Sequence, residues 1–223
     1  MRPHPKVMTA CRGFTLIELL VSLLMVSVSM TALLSFFQTQ NVAMRVENSR
    51  RAAQTTARGC LTFIVRHLEN IGRDPTLEMF SAAAPAILTA ELDDLRYQTN
   101  LSDDDPNGVP GPDTADDWED VTFTYDDIAQ AIMVTIPLVG GGGTETYALT
   151  DDGTSPQSYV PAGGLTFTYY DEDGNIIPPG GGVTDRGDIR RINVAVTVRG
   201  LPPGGHAEPE VTLAQDGFLR NMS

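Results

Sequence analysis

The chain has 223 residues and a formal net charge of −14. That length suits one modest globular domain with an appendage. The charge argues against a nucleic-acid partner, whose phosphates would repel it, and an aromatic content of 7% limits the core to a small one.

In chain order, Arg2, Lys6 and Arg12 come before any acid. Residues 14–37 then read FTLIELLVSLLMVSVSMTALLSFF, with Glu18 as the one charge. Twenty-four helical residues reach about 36 Å, enough to cross a hydrocarbon layer of about 30 Å. The basic residues ahead of the run favour a cytoplasmic N-terminus, with the rest of the chain outside. A secretory signal has a shorter apolar region that ends at a small-residue cleavage site. Here Gly13 sits before the run instead, so a cut after Gly13 would remove the charged leader and keep the helix. The same cut removes three positive charges, leaving −17, and takes away Cys11. Cys60 then has no intrachain disulfide partner and reads as a small helix-packing residue.

Glu18 is the informative oddity. A carboxylate in hydrocarbon costs on the order of several kcal/mol unless paired or protonated. No Lys, Arg or His lies within the segment. The nearest candidate cation is the amine that cleavage would create on Phe14, four residues or about one turn away. It could belong to the same chain or to a neighbour.

The stretch Arg12-Gly13-Phe14-Thr15-Leu16-Ile17-Glu18-Leu19-Leu20-Val21 resembles the type III signal peptide of type IV pilins and type II secretion pseudopilins. The resemblance implies a membrane aspartyl peptidase that cuts after Gly13 and methylates Phe14. It also implies that Glu18 neutralises the N-terminal amine of an adjacent subunit during assembly.

Past the membrane, Ala53, Ala57, Leu61, Ile64, Leu68 and Ile71 continue at helical spacing. Gly72 and Asp74-Pro75 end the pattern. One helix is therefore expected from about Phe14 to Ile71, with Gly59 as a soft point. Arg45, Arg50, Arg51, Arg58, Arg66 and Arg73 are placed on its solvent face or against acidic neighbours, with contact to anionic lipid headgroups or other subunits as the alternative. The four expected segments are a leader at 1–13, a transmembrane half at 14–37, a stalk half at 38–73 and a β-rich head at 74–223.

In the head, Val121, Phe123 and Tyr125 alternate with polar residues. So do Ile132, Val134 and Ile136; Leu165, Phe167 and Tyr169; and Ile192, Val194, Val196 and Val198. Each set predicts a strand with one buried face. Runs such as Gly140 to Gly143, Asp151-Asp152-Gly153 and Pro178 to Gly182 predict loops, and residues 171–175 predict a hairpin turn. The fold class is α+β, a long N-terminal helix packed on an antiparallel sheet. Three head segments carry a second resemblance: 165–175 (LTFTYYDEDGN), 188–194 (DIRRINV) and 216–221 (DGFLRN). Their order is similar to that of PilW-like minor pilins, themselves similar to the J pseudopilin of type II secretion.

The motif Asp103-Asp104-Asp105-Pro106-Asn107-Gly108 matches the start of a calcium loop, with Asp103, Asp105 and Asn107 as the ligands. Thr114 stands where the bidentate Glu belongs, so a solvated acidic loop is the competing reading. Trp118 reads as a packing residue of that loop or a binding contact. His4, His67 and His206 lie far apart, and no nucleophile, phosphate-loop or metalloprotease motif accompanies them. No enzyme activity is expected, and no cofactor apart from that calcium.

These readings converge on a non-enzymatic minor type IV pilin that helps prime or cap a filament. It would sit in the inner membrane with its head in the periplasm, and later at the cell surface. Its expected partners are the prepilin peptidase, other pilins or pseudopilins and the inner-membrane assembly platform, with no nucleic acid. The alternatives are a J-like type II secretion pseudopilin and, from another class, a membrane-anchored calcium- or ligand-binding adhesin.

Overall fold

One helix, α1 (Leu16–Leu68), runs through more than fifty residues of the chain. The computed structural model describes residues 14–73, 86–99, 119–137, 143–150, 158–202, 204 and 208–219. Contacts divide the chain into two units, Met1–Met44 and Arg45–Ser223, and each is treated by itself. In the second unit α1 buries Ser49, Ala53, Ala57, Cys60, Leu61, Ile64, Val65 and Leu68. The spacing of three and four puts these on one face. The helix closes at Gly72, whose φ of 68° is the left-handed conformation that glycine adopts without strain. Its N–H then donates to the Gln98 carbonyl at 3.4 Å.

The strands are β1 (Ile87–Ala90), β2 (Asp94–Gln98), β3 (Asp120–Asp126), β4 (Ala131–Pro137), β5 (Thr144–Ala148), β6 (Ser158–Tyr159), β7 (Leu165–Tyr170), β8 (Ile176–Ile177), β9 (Arg191–Gly200) and β10 (Glu210–Phe218). A short helix, α2 (Val183–Gly187), precedes β9. The antiparallel layer is divided into two sheets, in the orders β1-β2-β3-β4-β5 and β10-β9-β7-β8, with β6 pairing the far end of β9. All the described pairings are antiparallel. The architecture is a long N-terminal helix followed by antiparallel sheets, the pilin-like α+β arrangement. The two sheets are stitched at the β1–β2 turn. Phe167 N–H donates to the Leu92 carbonyl at 2.7 Å, and the Tyr169 hydroxyl to the Glu91 carbonyl at 2.6 Å.

The stalk face of α1 and both sheets share one core. Phe63 packs edge-on to Phe123 of β3, with ring centroids 6.2 Å apart. The Thr56 and Ser158 hydroxyls meet at 3.3 Å. The Cys60 thiol donates to the Leu149 carbonyl at 3.5 Å, and burial pushes that thiol up to about 11. Two glycines set how closely the strands approach α1. A Cβ on Gly200 would fall on Ser49, and one on Gly217 would lie 2.8 Å from Leu68 Cδ1.

The three head segments of the second resemblance meet in space. Asp216 faces Asn193 across the β9–β10 ladder. It accepts hydrogen bonds from Asn193 Nδ2 at 2.8 Å and Arg191 at 3.3 Å. The Arg191 guanidinium lies 3.9 Å over the Tyr170 ring, and Leu219 N–H donates to the Arg190 carbonyl. The β7–β8 connection is the expected hairpin turn. Asp171 accepts from both the backbone N–H and the side-chain amide of Asn175, at 2.7 and 2.9 Å. These bonds, the side-chain one foremost, hold its carboxyl below the ordinary carboxylate range. Gly174 takes a φ of 84° to close the turn.

Two outcomes follow from this packing. Gly217→Val should drive two methyls into Leu68 and lower stability by about 1–3 kcal/mol, read as a drop in the urea midpoint at unchanged m-value. His67 lies against Phe63, with ring centroids 4.5 Å apart and the planes tilted by 42°, and meets Phe123 edge-on at 6.1 Å. Burial, and then the adjacent Arg66, hold its imidazole below the ordinary value. A folded value below the unfolded one means that this stability is full above about pH 6.5 and is lost as pH falls through the folded value. The acid limb of the stability–pH curve should flatten in His67→Phe; an unchanged slope would show that His67 does not shape it.

Candidate functional site

The chemistry at the head of α1 starts with Thr15, the residue before the first helical position. Its Oγ1 accepts a hydrogen bond from Glu18 N–H at 3.3 Å. In return Glu18 Oε2 accepts from the Thr15 N–H and from the Thr15 hydroxyl, both at 3.1 Å. This reciprocal pair is a capping box, which satisfies donors that a helix N-terminus otherwise leaves open. Thr15 also supplies its carbonyl to Leu19 N–H at 3.2 Å. Glu18 Oε1 has no hydrogen bond among the described residues. Among the described residues an acceptor oxygen therefore stays open on the same carboxylate.

Sequence reasoning gave Glu18 an amine as its partner and passed over Thr15. The overlooked signal is Thr15-Leu16-Ile17-Glu18, a T-x-x-E pattern directly ahead of an apolar run. Phe14, the expected methylation site, is 79% exposed and precedes the capped turn. Gly13 and the rest of the leader lie outside the described residues, as do His4, His206, Trp118 and the proposed calcium ligands Asp103, Asp105 and Asn107. His67 is packed among aromatic rings of the core.

Behind the cap, every residue from Phe14 to Arg45 is exposed in the isolated chain. α1 is long and apolar enough to cross a membrane, with a mean hydropathy of 2.2 over its most apolar window. Its polar side chains are turned onto its own backbone. Ser22, Ser27, Ser29, Thr31, Ser35 and Thr39 each donate a hydroxyl to a carbonyl three or four residues earlier, at 2.7 to 3.1 Å. In hydrocarbon an unsatisfied hydroxyl costs on the order of a few kcal/mol, so this internal bonding lets the hydroxyls of Ser22, Ser27, Ser29, Thr31 and Ser35 enter lipid without a partner helix.

The prokaryotic N-terminal methylation motif matches residues 8–34, the stretch that contains Gly13, Phe14, Thr15 and Glu18. No curated protein matches the chain. No solved structure matches it either. The motif, set on an apolar helix near the N-terminus, supports a type IV pilin-like or pseudopilin chain that is a prepilin peptidase substrate anchored in a membrane.

The capping box has a direct test. Thr15→Val keeps the shape and removes the hydroxyl that both donates to and accepts from Glu18. Loss of such a cap costs about 0.5–2 kcal/mol. Amide exchange at residues 17–19 of the micelle-bound chain should accelerate about 2- to 30-fold, while the amides around Ile64 stay unchanged.

Proposed function

We propose that this chain is a minor type IV pilin, a structural rather than catalytic subunit that helps prime or cap filament assembly. The observation that carries the reading is Glu18. Its carboxylate sits at the head of an apolar helix, is held by Thr15 through one oxygen, and keeps the other oxygen open. Cleavage after Gly13 would place a new ammonium on Phe14 within one turn of that oxygen, on this chain or a neighbouring one. An ammonium–carboxylate pair is far stronger in hydrocarbon than in water. In this reading the pair draws subunits into register once the leader has been removed.

The remaining parts fit that role. The apolar half of α1 supplies the membrane store and the filament bundle, and the stalk half carries the head. The prepilin peptidase, other pilins and the inner-membrane assembly platform are the partners, with the head on the periplasmic side. The junction of Tyr170, Arg191, Asn193 and Asp216 supports the PilW-like reading, because it unites the three segments that carry that likeness. A J-like type II secretion pseudopilin shares those segments and is the second reading. Deletion that abolishes piliation and spares secretion favours the pilin, and the reverse favours the pseudopilin.

Mass spectrometry of the protein purified from membranes tests the class itself. The expected mature chain begins at methylated Phe14. A chain that still begins at Met1 overturns the reading.

A further inference from the structure

The face of α1 opposite the core has a composition that its own fold does not explain. Arg51, Thr55, Arg58, Gly59, Thr62 and Arg66 are all exposed. At 100° per residue they fall within an arc of about 100°. Arg51 pairs with Glu47 at 3.1 Å. Arg58 and Arg66, about 12 Å apart along the axis, have no ion pair among the described residues.

Gly59 lies between them. Glycine inside a helix costs about 1 kcal/mol relative to alanine. Gly200 and Gly217 have steric reasons to lack a side chain, whereas a Cβ on Gly59 would meet nothing within 4 Å. Nothing among the described residues requires glycine there. A second backbone arriving at that point would.

The charges say what kind of surface arrives. Residues 45–73 hold six arginines and two acids, while residues 74–223 hold six arginines and 26 acids. Lys6 is the one lysine, so every cation after the leader is arginine. Arginine is the cation enriched at protein interfaces, and its fork binds a carboxylate through two parallel hydrogen bonds. We propose that the Arg58–Gly59–Arg66 face of the stalk is a docking surface for the acidic head of a second copy of this chain. Such a contact joins two different surfaces, so it is heterologous. On the described head, exposed Glu172, Asp173 and Asp188 line a cleft of about 450 Å³ together with Asp171 and Asp185, against one cation, Arg190. That cleft is where charge reversal is placed on the partner side. The inference rests on the helix face and is independent of how the N-terminus is processed.

The full chain in zwitterionic detergent tests it by analytical ultracentrifugation. All the variants share the apolar segment, so differences between them report the stalk face. Arg58→Glu/Arg66→Glu should weaken self-association at least about tenfold, as expected for the loss of charge-assisted contacts. Gly59→Trp should weaken it similarly while its melting temperature equals or exceeds that of the parent, because tryptophan is the better helix former. Mixing the arginine-reversed copy with one carrying Glu172→Arg/Asp173→Arg/Asp188→Arg should restore association. A parent chain that stays monomeric overturns the proposal. So do variants that associate like the parent, a mixture that recovers nothing, and binding of the arginine face to anionic lipid vesicles in place of the chain's own head.

Discussion

The face of α1 that carries Ser49, Ala53, Ala57, Cys60, Ile64 and Leu68 is the constraint on which the rest of the head depends. Its N-terminal part is made of small residues, which let strands come close. Its C-terminal part is made of large ones, Ile64 and Leu68, both fully buried. A two-sheet head of this size has too few aromatic residues to build a core without that helix. The largest buried side chains, among them Tyr97, Phe123, Phe167 and Tyr169, all belong to the same cluster as the helix face. Gly200 and Gly217 are the reciprocal adaptation on the strands, since either Cβ would push β9 or β10 off the helix. The head is in this sense folded onto the stalk, and the stalk half of α1 belongs to the head's core.

This dependence also explains what was legible in the sequence. The helix face was legible because a period near 3.6 survives wherever one side is buried. The strands β3, β4, β7 and β9 were legible for the same reason at period two; their burial alternates along most of each strand. β5 and β10 were not. β5 exposes Thr144, Glu145, Thr146 and Tyr147 on both faces, and the inward side of β10 offers only Val211, the half-buried Leu213 and Gly217 as apolar signal, interrupted by the exposed Gln215. β1 and β2 are short, and their pairing depends on β3, which is distant in sequence. The division into two sheets was hidden because the hydrogen bonds that stitch them end on backbone carbonyls of a turn, those of Leu92 and Glu91, which carry no residue-type signature.

At the other end of α1 the gap was of a different kind. Glu18 announced itself as a charge in an apolar run, and that incongruity drew the reasoning to electrostatics. The neighbouring threonine attracted no notice, because a polar residue next to a helix start is ordinary. The geometry makes the two inseparable. A carboxylate entering hydrocarbon needs donors before any amine exists, and Thr15 provides two of them from one residue. The cap thereby separates two tasks that sequence reasoning had merged. One oxygen secures the helix end, and the other remains for a partner. The hydroxyls further along the helix obey the same rule, with each donor satisfied inside the segment that enters the lipid.

The glycines of the second unit give the sharpest contrast. Gly200 and Gly217 are explained by atoms that touch the place where a side chain would be, and Gly72 and Gly174 by positive φ angles. Gly59 has neither reason: it sits in regular helix, on the exposed side, with open space around it. The helix tolerates it because the opposite face is anchored by Cys60, Leu61 and Ile64, all nearly or fully buried. That anchoring offsets about 1 kcal/mol of helix propensity lost at a single residue. A fold stable enough to keep such a residue in its central helix does not by itself account for why the residue is there. The flanking guanidinium groups, without an ion pair among the described residues, and the excess of carboxylates on the same molecule make a contact between copies the physical explanation that requires the fewest additional elements.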